Sequence, residues 1–256
     1  MNTVKKYKIP EKNVVISSYD DRFRNGNLPI ACVVDEPVRK RTERFVSREE
    51  INSVVEYFLQ RNEIHMAAYF IFELNVGYRV GDCLAFRKCD VMEKERPLHL
   101  KSQLTLIETK TRKTNKYRTV YFNKAITEVL AYLVKNKRDE DYLFIPDKKP
   151  QFSLEIMGYK PMTRQTAWNN IKRAVKDLGI DMHVGTHSFR KTFDYFMAVG
   201  QEENVDLNLA CRALGHSDSR ITSRHYLNTP ERVIKSQMMT LNLGLEGWEK
   251  YFNKST

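Results

Sequence analysis

From Ser47 onward, apolar residues recur at the spacing of amphipathic helices, and between about Leu98 and Phe122 that spacing gives way to a β-favouring pattern. These two periods restrict the chain to a mainly helical fold carrying one small sheet. Ser47-Arg48-Glu49-Glu50 has the form of a capping box, and Ile51, Val54, Val55, Phe58 and Leu59 follow on one helical face. A second helix is expected over about Glu63 to Asn75, buried through Ile64, Ala67, Ala68, Ile71 and Phe72, with Gly77 as its left-handed cap. Val80, Cys83, Leu84 and Phe86 predict a short third helix. Leu104-Thr105-Leu106-Ile107 and Arg118-Thr119-Val120-Tyr121-Phe122 then flank a polar, basic turn, which predicts an antiparallel pair. Helical spacing resumes at Ile126, Val129, Leu130 and Leu133, and again from Thr163 through Ala167, Trp168, Ile171, Ala174, Val175 and Leu178 to Gly179. Further helices are expected from about His187 to Val199, and after Asp206, where Leu207, Ala210, Cys211 and Leu214 turn inward before Gly215.

The 45 residues at the start read differently. Pro10, Asn25-Gly26-Asn27, Pro29 and Pro37 interrupt any period, and Arg39-Lys40-Arg41 and Arg44 close the stretch. Residues 1–45 are therefore expected to form an arm or linker, and residues 46–256 one domain with a tail from about 231. The 43 Lys and Arg against 32 Asp and Glu leave a net charge of +11, which suits a polyanionic partner such as nucleic acid. No apolar run approaches the ~20 residues that span a bilayer, and MNTVKKYKIPEKN offers no apolar signal region, so a cytoplasmic protein is expected. Cys32, Cys83, Cys89 and Cys211 form no C-x-x-C pair, which argues for reduced thiols and against a disulfide framework or zinc knuckle.

Breaking a phosphodiester without a metal requires a nucleophile, cationic donors for the non-bridging oxygens and an acid for the departing alkoxide. Arginine suits the second task because its planar fork meets two phosphate oxygens at once. The chain offers candidates for each role in separated motifs: Gly77-Tyr78-Arg79-Val80-Gly81-Asp82, Lys113-Thr114-Asn115-Lys116, His187-Ser188-Phe189-Arg190-Lys191-Thr192-Phe193, Leu214-Gly215-His216-Ser217 and Tyr226. In order and local context these together resemble the catalytic domain of the tyrosine recombinases, the phage integrase family, over roughly residues 46 to 230.

That resemblance implies the fold of the DNA breaking-rejoining enzymes and strand exchange through a 3′-phosphotyrosyl intermediate, without cofactor or metal. Carried onto this chain, it makes Tyr226 the nucleophile and Arg79 and Arg190 the phosphate clamp. His187 would assist proton transfer, Lys113 would protonate the leaving 5′-oxygen and His216 would hydrogen-bond the phosphate. Lys110 is the alternative to Lys113, since Lys110-Thr111 repeats the dipeptide Lys113-Thr114. Arg39, Lys40, Arg41, Arg112 and Lys116 are candidate DNA contacts. The implied partner is double-stranded DNA with specific sites, bound by a homotetramer. A DNA-binding accessory or regulatory protein that kept this fold without turnover is the rival reading.

His183 and His187 lie four apart, as in some metal sites, but Gly185 interrupts a shared helix face and no acidic or cysteine ligand matches. Asp82 stands where the family more often has Glu. The family usually carries a helical DNA-gripping domain ahead of the catalytic one, and 45 irregular residues cannot supply it, so a fragment or a short recombinase is expected. For the apolar tail that reaches Trp248 and Phe252, docking on a neighbouring protomer and folding back on its own core are equally open.

Overall fold

The computed structural model describes residues 42–45, 47–96, 99–107, 117–147, 160–185, 187–199 and 231–253. Ser47 caps the first helix, α1 (Arg48–Gln60), supplying its half of the expected capping box: Ser47 Oγ accepts from Glu50 N, and Ile51, Val54, Val55, Phe58 and Leu59 are buried on one face. The next, α2 (Ile64–Val76), is the centre of the molecule. Every residue from Met66 to Val76 is buried, because IHMAAYFIFELNV is apolar almost all round and can only be satisfied by neighbours on every side.

Those neighbours follow in chain order. After Gly77 come the short helices α3 (Val80–Leu84) and α4 (Lys88–Val91), then strands β1 (Gln103–Ile107) and β2 (Tyr117–Tyr121). The strands pair antiparallel, with Leu104 opposite Val120 and Leu106 opposite Arg118 on one face. On the other face the Thr105 and Thr119 hydroxyls share a hydrogen bond of 2.8 Å. Helices α5 (Lys124–Leu133), α6 (Arg164–Asp177) and α7 (Ser188–Val199) follow, and α5 and α7 both pack on α2. Asn123 and Thr163 cap α5 and α6 by accepting from Ile126 N and Thr166 N. The fold class is mainly α with a small antiparallel sheet, as the spacing predicts. Helix α4 goes beyond that expectation: it is held by contacts distant in sequence, with Lys88 N donating to Asp141 O and Arg87 bridging Tyr142.

The tail contains α8 (Glu231–Leu241) and α9 (Leu245–Asn253), and it folds back on its own chain. α9 lies along α1, and the Trp248 ring meets Tyr132 edge-on at 5.7 Å. A buried amide network fixes the bend between these helices. Asn75 Oδ1 accepts from Leu243 N and from Asn123 Nδ2, while Asn75 Nδ2 donates to Leu243 O and Ile71 O. Asn123 Nδ2 also donates to Met238 O at 3.0 Å. The two polar side chains thus meet the backbone needs of a buried turn.

Candidate active site

Arg79 owes its place to the way α2 ends. Gly77 takes φ +59, a left-handed conformation in which its N–H still reaches Glu73 O at 2.9 Å. The chain then turns, Tyr78 buries completely, and its hydroxyl is shared between Leu104 O and Arg118 O, one on each strand. Arg79 itself is half-buried and extended (φ −73, ψ 144), and its carbonyl receives Asp82 N and Cys83 N to start α3. A single tyrosine therefore ties the Arg79 segment to the hairpin.

Arg190 and His187 come from the start of α7. Ser188 is fully buried and closes the entering turn: its N–H donates to Gly185 O and its Oγ accepts from Gly185 N at 2.9 Å. His187 is exposed just before the helix, and Arg190 is only 8% exposed on its first turn. Ahead of α1, residues 42–45 strap this entry. Glu43 N donates to His183 O, His183 N donates to the Glu43 carboxylate, Lys191 Nζ donates to Thr42 O, and Phe45 N donates to Thr192 Oγ1.

The two arginine-bearing segments meet at one joint. A Cβ on Gly77 would lie 2.5 Å from the Phe193 ring, so the end of α2 presses directly on α7 one turn beyond Arg190. Arg118 locks the joint: Nη1 donates to Gly77 O at 2.8 Å and Nη2 to Val76 O, while the guanidinium lies over the rings of Tyr78 (4.7 Å) and Phe193 (5.3 Å). It is 6% exposed. A further guanidinium, that of Arg164 at the start of α6, lies across Gly81, where a Cβ would be 2.1 Å from Nη2.

The electrostatics carry one buried carboxyl, Glu73, and one partly buried, Asp194. Asp194, on α7 one turn after Arg190, is pushed up to about 7 by burial, against the pull of Arg190 and Arg118. Glu73 is pushed up to about 8 by complete burial, although the Tyr69 hydroxyl, which donates to it, favours its charged form. Among the described residues no group of three or more His, Cys, Asp or Glu could hold a metal ion.

Of the residues expected from sequence, the structure thus brings the Arg79 segment against the helix that carries Arg190 and follows His187. Tyr226, His216, Lys113, Lys110, Arg112, Lys116, Arg39, Lys40 and Arg41 lie outside the described residues, as does the helix expected after Asp206. The sequence motifs do not point to Arg118, Arg164 or Asp194. Arg118 alone leaves a readable trace, a charge on the inward face of an apolar strand beside Val120.

This chain belongs to the phage integrase family, whose profile matches residues 44–232. It is 27% identical over 179 residues to the probable integrase/recombinase YoeC of Bacillus subtilis (strain 168), covering 70% of this chain and 86% of that protein. It is 21% identical over 249 residues to the integrase of Staphylococcus phage L54a, covering 90% of this chain and 67% of that one. Two solved structures are also similar: the XerH site-specific recombinase bound to difH substrate in a pre-cleavage complex (19% identity, TM-score 0.45) and the XerA recombinase (18%, 0.45). The matches cover 77% and 86% of this chain, which spans 53% of the XerH chain and 66% of the XerA chain. No described helix is long and apolar enough to cross a membrane.

Proposed function

We propose that the protein is a site-specific DNA recombinase that cuts and rejoins strands through a 3′-phosphotyrosyl intermediate. The observation that carries this reading is the joint at Gly77 and Phe193, which holds the Arg79 segment against the helix bearing Arg190 in a chain of the phage integrase family. Two permanently charged forks on abutting, rigid elements suit one phosphate whose charge rises as it is attacked.

In this reading Tyr226 attacks phosphorus, forming a phenolic ester to the 3′-phosphate and releasing the 5′-oxygen of the other strand end. Arg79, Arg190 and His216 bind the non-bridging oxygens. The phenol proton leaves with help from His187, and the 5′-oxygen takes its proton from Lys113, or from Lys110 in its place. Rejoining reverses these transfers. Arg112, Lys116 and the Arg39-Lys40-Arg41 cluster contact the backbone of double-stranded DNA, and the exchange takes place in a homotetramer on two duplexes.

A nicked suicide duplex built from the DNA flanking the coding region tests the reading. Wild-type protein should form a covalent adduct stable to denaturation, and Tyr226→Phe should form none while still binding. Salt-sensitive binding by the wild type with no adduct would instead support a DNA-binding protein without turnover.

A further inference from the structure

Asp194 is placed oddly for a carboxylate. It stands one helical turn after Arg190, so both side chains share a face of α7. Its Oδ1 is buried, and no hydrogen-bond donor reaches it. Among the described residues, the charged groups that act on it are Arg190 of its own helix and Arg118 of β2. Among the described side chains of the elements packed around α7, several charged groups have partners elsewhere. α2 carries Glu73, bonded by Tyr69, and α8 carries Lys235, whose ammonium lies over the Tyr121 ring. Arg44 and Arg48 lie over the rings of Tyr195 and Phe196.

A partly buried carboxyl with one enclosed oxygen, under the influence of two guanidiniums, can meet its surroundings in two ways. Ionised, it gives Arg190 a counter-charge but leaves an acceptor oxygen buried and unmet, which is costly. Protonated, it removes that negative charge from the neighbourhood of Arg190. A phosphodiester arriving at Arg190 brings its own negative charge and repels the carboxylate, so the second state becomes the favoured one. Arg118 cannot follow the phosphate, because its donors are held by Gly77 O and Val76 O.

We propose that Asp194 is a positioning residue for Arg190: it takes one proton from solvent as a DNA phosphate binds, and so removes the internal negative charge that competes with the DNA for the guanidinium. Phosphate binding and proton uptake are then coupled. The inference rests on Arg190 holding a DNA phosphate, as in the function proposed above.

The test compares the affinity of full-length wild type and Asp194→Asn for the same suicide duplex across about pH 6 to 9, at fixed salt. His187 is present in both proteins, so its titration cancels in the comparison. Wild-type affinity should fall as pH rises, approaching tenfold per pH unit above the carboxyl midpoint, the limit for one linked proton. Asp194→Asn should remove that slope while keeping the low-pH affinity. A purely structural role would change affinity equally at every pH, so parallel curves overturn the proposal. Calorimetry of binding in two buffers of different ionisation enthalpy, with His187→Gln as the background, covers the case in which Asp194→Asn does not fold. Uptake of a sizeable fraction of a proton at about pH 8 supports the coupling, and no uptake overturns it. Absence of covalent adduct in either experiment bears on the catalytic reading alone.

Discussion

The ring of Phe193 occupies the space where a side chain on Gly77 would begin, 2.5 Å from an ideal Cβ. That contact joins the end of the central helix, two residues before Arg79, to the helix of Arg190. Gly77→Ala should therefore be costly on two counts, about 1 kcal/mol for the left-handed backbone and a further ~1–3 kcal/mol for overpacking. Chemical denaturation measures the sum, and the suicide duplex should show adduct formation slowed by more than the loss of folded protein explains. A variant as stable as wild type would mean that the joint is loose.

Arg118→Met keeps much of the side-chain volume but leaves Gly77 O and Val76 O without their donors. Hydrogen bonds from charged donors contribute about 1.5–3 kcal/mol, so a loss of that order in unfolding free energy is expected. Removing Arg118 also removes one of the two cations that favour the ionised form of Asp194. The Asp194 titration, followed by carboxyl carbon NMR, should move further upward in this variant, and a downward move would contradict the arrangement.

Glu73 makes stability depend on pH in a defined direction. Burial raises its carboxyl from the ordinary 4.5 to about 8 in the folded protein, so the native state holds a proton that the unfolded chain releases. Stability should fall as pH rises from about 4.5 to about 8 and then level off. Glu73→Gln retains an acceptor for the Tyr69 hydroxyl and carries no titrating group. Urea unfolding at a series of pH values should show the slope reduced in this variant, with the part due to Asp194 remaining below about 7.

Asn75→Ala removes the amide that satisfies both backbone groups of Leu243. The expected cost is about 2–4 kcal/mol, from lost hydrogen bonds together with the buried groups left unpaired. Hydrogen exchange should accelerate most in residues 231–253, because α8 and α9 are attached through this turn. Trp248→Ala, which empties the contact with Tyr132 and Phe252, should cost ~3–5 kcal/mol and release α9 in the same experiment.

Much of the helical framework is legible in the order of residues alone. Ser47 reads as a cap, Gly77 as a stop and the strands around the basic turn as a pair, because capping, left-handed termination and amphipathic burial act over one or two turns of chain. Helix α4 does not, since its four residues carry no period and depend on Asp141 and Tyr142. For the site, the kinds of residue and their order point to phosphate chemistry, and Arg79 and Arg190 stand on elements that abut. Arg118 reads in sequence as one more basic residue beside the turn, and only burial against Tyr78 and Phe193 gives it a task.

Local spacing and short motifs specify the mainly helical class, the ends of several helices and the family. Tertiary structure decided three further things: that Arg118 locks the joint, that Asp194 lies under the influence of two guanidiniums, and that the tail from Glu231 packs on its own α1. The physical reason is common to all three. Each depends on burial shared by segments far apart in the chain, and a buried charge or amide is assigned its partner by whatever the fold brings beside it.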